Sequence, residues 1–583
     1  MSDASVLRKR EPTLEVLVKR ILAALFSLSF LFSGAPLHAQ SAAPQASSDE
    51  ALAALVRRKI KHVFVIYQEN RSFDSYFGTF PGAENLTSTL AQTQGFRQYD
   101  PIGKQWVTPF RITASDTADA DHSRLSLITK SDDGRMDLFV PTEEFGLLAK
   151  GYAREDAQRV GLLTMAFEDC DTIPYLWQYA KNFALYDHFF QGMYGPSTPG
   201  NIDLIAAQTG QTQWARHGDE QVNALGTGPG VPVVNDTAPA FGPYEGGAPP
   251  MPGTAQFDLS FATLFLTLSG KEATNAKRDD DDIKEDVASL AHRGAAAIPW
   301  GWYQEGFASA SGEGGGGRAA YVTHHNALQY FGYLRNNTYF WRGVHDVKTL
   351  LPAIQNGTLG DQGVVFIKGG ANNPFGFKPA DPSLYVQYNF KGDDDHPGYS
   401  DSQISEAFVA TFVNAIAKSK YWNDSVIFIT WDDSEGFYDH MSPPKFERCP
   451  DGHPCGDGPR VPAMLISPYA KDHAIVRDLA DHTSFAKMLG RIFDLPALAS
   501  LPDESPYLPE GPRDTDPRLS DLLGGFDPER LSGTKLPIPA TQAIVADVGI
   551  PPKESCSSLG IVPNHIPGEE NPPPGFAPLT LEH

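Results

Sequence analysis

Two short apolar segments, each followed at once by polar side chains, constrain most strongly how this chain can fold. Residues 63–67 (Val-Phe-Val-Ile-Tyr) lead into residues 68–74 (Gln-Glu-Asn-Arg-Ser-Phe-Asp), and residues 426–431 (Val-Ile-Phe-Ile-Thr-Trp) lead into residues 432–435 (Asp-Asp-Ser-Glu). Short runs of β-branched and aromatic residues are typical of buried strands. Open α/β sheets carry their functional groups just beyond the carboxyl ends of the strands. The two segments therefore predict a cluster of carboxylate and amide groups at one edge of a sheet.

A cluster of this kind is expected to bind a cation. If the two strands are parallel near neighbours, Glu69, Asn70, Asp432 and Asp433 converge. Carboxylates packed so closely raise one another's pKa values unless a positive charge compensates them. Oxygen ligands without a thiolate favour magnesium, calcium or manganese, and zinc also accepts carboxylates. Taken alone, the first stretch also fits a surface ion pair between Glu69 and Arg71, in which Asn70 caps a helix.

The order of the predicted elements indicates the fold class. Further strand-like runs occupy residues 363–367 and 461–466, and apolar residues recur at helical spacing over residues 408–421 and 485–493. Alternation of strands and helices is typical of an α/β fold. We therefore predict a mostly parallel central sheet with helices on both faces.

Length and charge limit the partners of the chain. Its 583 residues are enough for a large hydrophobic core. The formal net charge of -24 at pH 7 repels phosphate backbones and anionic lipids. Nucleic acid is therefore not an expected partner, and an anionic substrate needs a local cation.

The N-terminal segment has the features of a secretory signal peptide. Arginine and lysine residues precede an apolar stretch at residues 21–32, and small residues lead to Ala39, the predicted last residue of the leader. The apolar stretch is too short for a stable membrane span, and no other segment offers about 18 uninterrupted apolar residues. We predict a signal peptide at residues 1–39, a linker at residues 40–49, and a periplasmic or secreted protein without stable membrane insertion.

The four cysteines of an exported chain can form up to two disulfides. Cys449 and Cys455 flank the sequence Pro-Asp-Gly-His-Pro, a turn that can bring their side chains together. We predict that these two cysteines form a disulfide, with a zinc site made by their thiols and His453 as the alternative. Cys170 and Cys556 lie too far apart in the sequence for a prediction.

Several motifs match those of a known family in the same order along the chain. They are residues 60–63 (Ile-Lys-His-Val), 68–78, 121–123 (Asp-His-Ser), 195–199 (Gly-Pro-Ser-Thr-Pro), 396–397 (His-Pro) and 431–433 (Trp-Asp-Asp). On these motifs the chain resembles the bacterial phosphoesterase family that contains secreted phospholipases C and a group of acid phosphatases. The resemblance implies a fold similar to that of alkaline phosphatase. It also implies a catalytic domain over residues 50–500, followed by a proline-rich tail, residues 501–583, that packs on the domain or extends from it.

The resemblance further implies one divalent metal ion and a serine nucleophile. The implied metal ligands are Glu69, Asn70, Ser197, Asp432 and Asp433. A divalent cation lowers the pKa of a serine hydroxyl, so Ser197 would attack phosphorus and give a phosphoserine that water then hydrolyses. A shift of one residue would make Thr198 the nucleophile, and without the resemblance this segment is typical of a turn without chemistry. Relatives often have glutamate where this chain has Asp433, which leaves magnesium, calcium, manganese and zinc all open.

Three histidines match family positions around the phosphoryl group, namely His122, His325 and His396. A protonated imidazole can donate to a phosphoryl oxygen or protonate the departing alkoxide. His324 could replace His325 by a shift of one residue. Without the resemblance, a single histidine is more often a structural residue than a catalytic one.

Residues near the two polar stretches are predicted to have supporting roles. Glu435, Asp439 and His440 follow the second stretch and are interpreted as side chains that orient the metal ligands. Arg71 and Asp74 in the first stretch are predicted to be structural.

The predicted function is metal-dependent hydrolysis of phosphoric esters by an exported enzyme. The proline-rich tail is short for the additional β-sandwich domains of long phospholipases C, and the sequence has no basic amphipathic helix for docking on lipid. Both observations favour an acid phosphatase over the alternative, a phospholipase C acting on phosphatidylcholine-like lipids. The expected substrate is a phosphate ester or a phospholipid. A non-catalytic exported metal-binding protein is the second alternative.

Overall fold

The computed structural model describes residues 43–579 except 94, 218–232, 237–258, 277–280, 310–318, 336, 447 and 450–451. The predicted signal peptide lies outside the described residues. Of the predicted linker, residues 43–49 are described, and they form the first part of the helix Ala43–Lys59. Contacts divide the chain into two units, residues 1–50 and residues 51–583, and the sheet and the site belong to the second unit.

The strands of the described residues are numbered in chain order. They are β1 (His62–Gln68), β2 (Gln98–Asp100), β3 (Gln105–Val107), β4 (Phe110–Arg111), β5 (Ala166–Phe167), β6 (Ala184–Tyr186), β7 (Phe189–Phe190), β8 (Trp300–Gln304), β9 (Val344–Asp346), β10 (Gly363–Lys368), β11 (Ser425–Trp431), β12 (Ala463–Ile466), β13 (Ala474–Val476) and β14 (Ala480–Asp481).

Eight of these strands form one mixed sheet in the order β13-β6-β12-β11-β1-β10-β8-β9. β1 lies in the middle and is parallel to both of its neighbours, β10 and β11. β8 and β9 continue the parallel pairing beyond β10, and β13 is parallel to β6. β12 is antiparallel to both β11 and β6. The predicted α/β fold with a mostly parallel sheet is therefore confirmed, and the antiparallel strand β12 is the part that the sequence did not indicate.

Helices connect and cover these strands. The α-helices are Ala43–Lys59, Phe73–Phe77, Thr89–Thr93, Arg124–Ser131, Phe139–Ala149, Arg154–Leu163, Pro174–Asn182, Ser197–Ala206, Gln211–Arg216, Leu264–Leu268, Lys284–Arg293, Gly332–Arg335, Thr338–Trp341, Leu350–Asn356, Leu384–Asn389, Ser402–Ala417, Ser484–Phe493, Pro528–Ser532 and Cys556–Leu559. Shorter 3-10 helices are Asp132–Gly134, Gly270–Asn275, Phe307–Ser309, Thr323–His325, Ala327–Tyr330, Val347–Thr349, Lys420–Asp424, Leu498–Ser500, Ser505–Tyr507, Leu523–Gly525 and Ala540–Gln542.

Local chemistry sets the bounds of two predicted elements. The predicted helix over residues 408–421 is observed as Ser402–Ala417, because the Asp401 side chain accepts hydrogen bonds from two backbone N–H groups of the first turn. The predicted strand over residues 461–466 begins at Ala463, because the preceding proline has no N–H to give to the ladder.

The three central strands are buried along their whole length. Every residue of β1, β10 and β11 is buried, and their apolar side chains belong to one large hydrophobic core. Parallel strands covered on both faces have this continuous apolar character. The core therefore fixes the positions of the strand ends, and the polar residues lie at these ends.

Within the second unit, the proline-rich tail makes hydrogen bonds to buried helices. Asn414 exchanges two hydrogen bonds of 2.9 Å with the backbone of Val545. The Tyr175 hydroxyl donates to the Asp547 carbonyl over 3.2 Å and accepts from the Gly549 N–H over 3.1 Å. These contacts give the tail a fixed path over at least part of its length.

Two disulfides pair all four cysteines. Cys449 and Cys455 are bonded, which confirms the predicted disulfide and removes these thiols from any zinc site. Cys170 and Cys556 form the second disulfide, which joins the segment just before the helix Pro174–Asn182 to the tail. Within the described part of the chain, no helix has both the length and the apolar character needed to cross a bilayer.

A buried charge network lies behind the first polar stretch. Asp74 accepts from Nδ1 of His440 over 2.6 Å and from Arg460 over 3.1 Å, and Arg460 also donates to Asp439 over 2.9 Å. Asp74 is therefore part of a buried ion-pair network, which agrees with a structural role. Asp439 and His440 contact this network, so the described contacts do not give them the ligand-orienting role that the sequence suggested.

The network predicts a pH dependence of stability. Burial acts to lower the pKa of His440, but Asp74 and Glu84 outweigh it and raise that pKa to about 9. Because the folded-state pKa exceeds the ordinary value, the charged histidine stabilises the fold fully below about pH 6.5 and ceases to do so as the pH rises through about 9. Between these two pH values, the free energy of unfolding measured in urea should fall by on the order of 3 kcal/mol more for the wild type than for His440→Gln. Parallel pH profiles of the two proteins would contradict this expectation.

Candidate active site

The ends of three adjacent strands place the polar stretches together. Gln68, the last residue of β1, pairs with Trp431, the last residue of β11. Glu69 and Asp432 therefore leave the sheet side by side, and the Asp432 N–H donates to the Gln68 carbonyl over 3.1 Å. Lys368 ends β10 on the other side of β1. The two polar stretches meet at one edge of the sheet, as the sequence predicted.

Ser197 is fixed between two carboxylates. It is the first residue of its helix, and its Oγ donates to Oε2 of Glu69 over 2.7 Å and lies 3.5 Å from Oδ2 of Asp433. Asn201, one turn later, donates to the Ser197 carbonyl over 2.8 Å and to Oδ2 of Asp432 over 3.3 Å. All five residues are fully or almost fully buried. The hydroxyl thus has one defined direction among buried side chains.

The helix that carries Ser197 approaches the second polar stretch very closely at Gly200. A Cβ atom at Gly200 would lie 2.5 Å from the carbonyl oxygen of Asp432 and 3.1 Å from its Cβ. Backbone atoms cannot give way as a flexible side chain can, so only glycine fits here. This close approach sets the distance between Ser197 and the carboxylates.

A buried lysine, Lys368, belongs to the same cluster. Its ammonium contacts Oε1 of Glu69, lies 3.2 Å from Oδ2 of Asp432, and lies 4.6 Å from the centre of the Tyr67 ring. Burial acts to lower the pKa of Lys368, but Asp432 and Glu69 outweigh it and raise that pKa, so the side chain carries its positive charge. Lys368 was not among the predicted site residues. It follows the strand-like run 363–367 directly, a position that could have indicated it.

The carboxylates respond differently to burial. Desolvation raises the pKa of Glu69 well above its ordinary value, and the nearby Asp432 raises it further. Desolvation also raises the pKa of Asp433 well above its ordinary value. For Asp432, burial acts in the same direction, but the Lys368 ammonium outweighs it and lowers the pKa. Burial therefore disfavours ionisation of Glu69 and Asp433, and if all three carboxylates were ionised the cluster would hold more negative charge than one lysine compensates.

The residues of this cluster fit a divalent cation. The side-chain oxygen of Asn70 is buried and accepts no hydrogen bond from the described residues. Together with Glu69, Asp433 and the Ser197 hydroxyl, it offers the hard oxygen ligands that magnesium, calcium and manganese prefer. An orphaned buried oxygen beside uncompensated carboxylates is the environment that a metal ion relieves.

Among the described residues, three other groups bring their possible ligand atoms within 4.8 Å of one another. They are His122, His396 and Glu435; Asp74, Asp439 and His440; and Asp169, Asp171 and Cys556. The second group already holds Arg460, and the third contains a cysteine that is bonded in a disulfide. Glu69, Asp432 and Asp433 do not form such a group, since they are arranged around Ser197 and Lys368. The first group, next to them, is thus a second place where a metal could bind.

His122 faces the cluster from the segment before the helix Arg124–Ser131. Its Nδ1 lies 2.8 Å from the Ala120 carbonyl and 3.3 Å from Oε2 of Glu435. Burial acts to lower the pKa of His122, but Glu435 and Asp433 outweigh it and raise that pKa well above its ordinary value. Glu435 and Asp433 therefore favour the protonated form of this imidazole.

Asn70 and Glu435 join the two polar stretches. Asn70 Nδ2 donates to Oε2 of Glu435 over 2.7 Å and lies 3.3 Å from Nε2 of His122. Both Asn70 and Glu435 have positive φ values, 58° and 57°. Such conformations are strained for residues with a Cβ and persist where the surrounding contacts enforce them. Glu435 thus fixes the amide group of Asn70, and its role in supporting a metal ligand stays a prediction.

The other two predicted histidines also lie at the site. His396 packs against His122 with ring centres 5.5 Å apart and against Tyr399 at 4.6 Å. His325 is fully buried, its Nε2 lies 3.3 Å from Oε2 of Glu69, and neither ring nitrogen makes a hydrogen bond to the described residues. Desolvation lowers the pKa of His325 well below its ordinary value. Burial therefore disfavours the protonated form of His325, whereas the sequence suggested a protonated donor, and the role of His325 stays a prediction.

The sequence left Thr198 as an alternative to Ser197 and His324 as an alternative to His325, and the structure describes the contacts of both residues. The Thr198 hydroxyl lies 3.4 Å from the Tyr330 hydroxyl, and its N–H donates to Asp236 over 2.8 Å. Nε2 of His324 lies 3.8 Å from Asp236. Ser197 rather than Thr198 directs its hydroxyl at the carboxylates. Asp236 was not predicted, because no strand-like run or motif precedes it.

Comparison with known proteins identifies the family. The model of the phosphoesterase family matches residues 60–496. The chain therefore belongs to the phosphoesterase family, whose members are hydrolases that act on phosphoric ester bonds.

Three curated relatives are similar over most of the chain. A non-hemolytic phospholipase C from Burkholderia pseudomallei is 24% identical over 477 residues, which cover 77% of this chain and 57% of that protein. Phospholipase C B from Mycobacterium tuberculosis is 21% identical over 75% of this chain and 74% of its own length. A hemolytic phospholipase C from Pseudomonas aeruginosa is 22% identical over 74% of this chain and 53% of its own length. The chain thus spans little more than half the length of the Burkholderia and Pseudomonas proteins.

One solved structure, of an alkaline phosphatase superfamily protein from Vibrio parahaemolyticus, aligns with 76% of this chain and 74% of its own at 10% identity, with a TM-score of 0.27.

The close approach at Gly200 gives a testable prediction. In Gly200→Ala the new methyl group must displace the backbone of Asp432, so we expect a loss of about 1–3 kcal/mol in the free energy of unfolding and a fall in activity. Gly146→Ala is the matched control, because Gly146 also lies in a helix and a Cβ there meets nothing within 4 Å. That change should stabilise the protein by about 0.5–1 kcal/mol. Equal effects of the two substitutions on activity would contradict the assigned contact.

Proposed function

We propose that the chain is an exported, metal-dependent phosphoric ester hydrolase of the acid phosphatase type, with Ser197 as its nucleophile. The observation that carries the proposal is the direction of the Ser197 hydroxyl, which donates to Glu69 over 2.7 Å within a buried cluster of oxygen ligands. Family membership over residues 60–496 supports the reaction class. Two disulfides support export to the periplasm or the medium, since disulfides persist in oxidising compartments.

The proposed metal ligands are Glu69, Asn70, Ser197, Asp432 and Asp433. A divalent cation bound there would lower the pKa of the Ser197 hydroxyl and offset negative charge on the phosphoryl group. The orphaned Asn70 oxygen and the surplus of carboxylates support this set. Magnesium, calcium and manganese match the oxygen donors, and zinc is compatible with them.

The chain's own residues provide the remaining chemistry. As Oγ of Ser197 attacks phosphorus, its proton has an acceptor in Oε2 of Glu69, and the bond from phosphorus to the departing alkoxide breaks. His122, held protonated by Glu435 and Asp433, can give the alkoxide its proton, and His396 lies next to it. Water then hydrolyses the phosphoserine. His325, neutral and buried against Glu69, can accept a hydrogen bond as readily as donate one.

Phospholipase C activity is the second candidate function. The observation that favours it is that the three relatives described above are phospholipases C by name. Both activities would use the same nucleophile and differ in the alcohol and headgroup bound next to it. Turnover of p-nitrophenyl phosphate and of p-nitrophenyl phosphorylcholine, each with and without chelator, separates the two. No turnover of either substrate with any divalent metal would leave the non-catalytic metal-binding alternative.

The nucleophile can be tested by two neighbouring substitutions. Ser197→Ala should reduce turnover by on the order of 10⁴-fold, because no other group can form the covalent intermediate. Thr198→Ala is the matched control and should keep most of the activity, since the Thr198 hydroxyl faces Tyr330. Mass spectrometry after acid quench should detect phosphate on the peptide that contains Ser197. If Thr198→Ala lost turnover and Ser197→Ala did not, Thr198 would be the nucleophile.

Metal analysis can distinguish the two candidate metal positions. Asp432→Asn should lose the metal, because it removes a charge from the proposed ligand set with little change of shape. His122→Ala and His396→Ala should slow turnover and keep the metal. The opposite pattern, with metal retained in Asp432→Asn and lost in both histidine variants, would assign the metal to the group of His122, His396 and Glu435.

A further inference from the structure

Lys368 is a buried cation at the site to which the proposed function gives no task. It is 1% exposed, and its ammonium contacts two of the proposed metal ligands, Glu69 and Asp432. The ring of Tyr67 lies below it with a centroid distance of 4.6 Å, and aromatic faces attract cations. The ammonium is therefore held in one position from three sides.

The oxygen atoms of the two carboxylates are divided between two directions. Glu69 presents Oε1 to Lys368 and Oε2 to Ser197. Asp432 presents Oδ2 to Lys368 and to the Asn201 amide, while Oδ1 accepts from the N–H groups of Asn70 and Asp433 over 3.3 and 2.9 Å. Glu69 thus bridges the lysine on one side and the nucleophile on the other. A metal ion that bridged Glu69 and Asp432 on the lysine side would have to occupy the place of the ammonium.

The charges of the cluster agree with this division. Glu69, Asp432 and Asp433 together carry three negative charges when ionised, and Lys368 supplies one positive charge. The remainder equals the charge of one divalent ion. Without the lysine, a single divalent ion would leave one buried carboxylate uncompensated, which is unfavourable in a medium of low polarity.

We propose that Lys368 is a tethered cation that takes the place of a second metal ion, so that the centre works with one divalent ion. This inference rests on the proposed metal-dependent function. Lys368 is accordingly a positioning residue, since it acts through Glu69 and Asp432 and does not touch Ser197. A tethered cation stays in place at any concentration of free metal.

Another buried lysine shows what an ordinary structural pair looks like in this protein. Lys130 is fully buried, donates to one carboxylate, Glu143, over 2.7 Å, and gives a second hydrogen bond to the Asp121 carbonyl. Lys368 instead contacts two carboxylates, Glu69 and Asp432, whose other oxygen atoms make hydrogen bonds to different residues. Lys130→Met therefore serves as a matched control for the loss of a buried lysine.

Manganese content provides the test. The protein is stripped with chelator, loaded with Mn²⁺, freed of unbound ion by gel filtration, and analysed for manganese per chain. We expect one equivalent in the wild type, in Lys368→Arg and in Lys130→Met. We expect two equivalents in Lys368→Met, with an electron paramagnetic resonance spectrum that shows coupling between two neighbouring Mn²⁺ ions. A purely structural lysine would not change the number of bound ions.

The outcomes separate this inference from the proposed function. A folded Lys368→Met protein with one equivalent or none would overturn the tethered cation, whereas a wild type with no manganese and no metal-dependent turnover would overturn the proposed function. A wild type that binds two equivalents would also overturn the tethered cation. Circular dichroism checks folding, and Lys368→Gln, which keeps a donor without a charge, carries the same expectation if Lys368→Met does not fold.

Discussion

The parallel pairing of β10, β1 and β11 is the constraint on which the rest of the site depends. Because these strands run in the same direction and are in register at their ends, a lysine, a glutamate and an aspartate leave the sheet at neighbouring points. Side chains alternate between the two faces of a strand, so a slip of one residue between β1 and β11 would turn Asp432 away from Glu69. The fully buried apolar faces of the strands prevent such a slip.

Burial of so many carboxylates is costly, and the surroundings of the site offset it locally. Asp395, close to the cluster, is satisfied by Arg71 at 3.3 Å, by the Tyr76 hydroxyl at 2.7 Å and by the Trp431 indole N–H at 2.7 Å. The network around Arg460 neutralises Asp74 and Asp439 in the same way. These pairs compensate the charges of Asp395, Asp74 and Asp439, whereas the carboxylates around Ser197 share the single ammonium of Lys368. A bound cation would be attracted to these carboxylates.

The sequence was most informative where polar residues directly follow an apolar run that forms a strand. Glu69 and Asp432 could be placed side by side, because apolar runs ending in acids indicate parallel strands that end at one edge. The bounds of elements were predicted less accurately, since Asp401 starts a helix earlier than the apolar periodicity suggests. The direction of β12 was not predicted either, because its apolar run resembles those of β1 and β11 although it pairs antiparallel to β11.

Side-chain charge and long-range contacts could not be read from the sequence. The lowered pKa of His325 depends first on desolvation and then on the adjacent His324 and on Lys368 and His396, which are distant in the sequence. Asp236 reaches the start of the Ser197 helix from an irregular segment, and Lys368 resembles any charged residue at the end of a strand. The roles of Ser197 and of the three histidines came from the family resemblance, since a turn rich in proline and glycine predicts no chemistry by itself.

The disulfide between Cys170 and Cys556 has a further consequence for the integrity of the protein. It joins positions 386 residues apart, and every residue from the helix that carries Ser197 to Asp433, the last proposed metal ligand, lies between them. Cleavage of any single peptide bond in that interval therefore leaves the two fragments covalently linked. If the protein is exported, as proposed, this covalent ring would let a molecule cleaved once by a protease keep both halves of the site together.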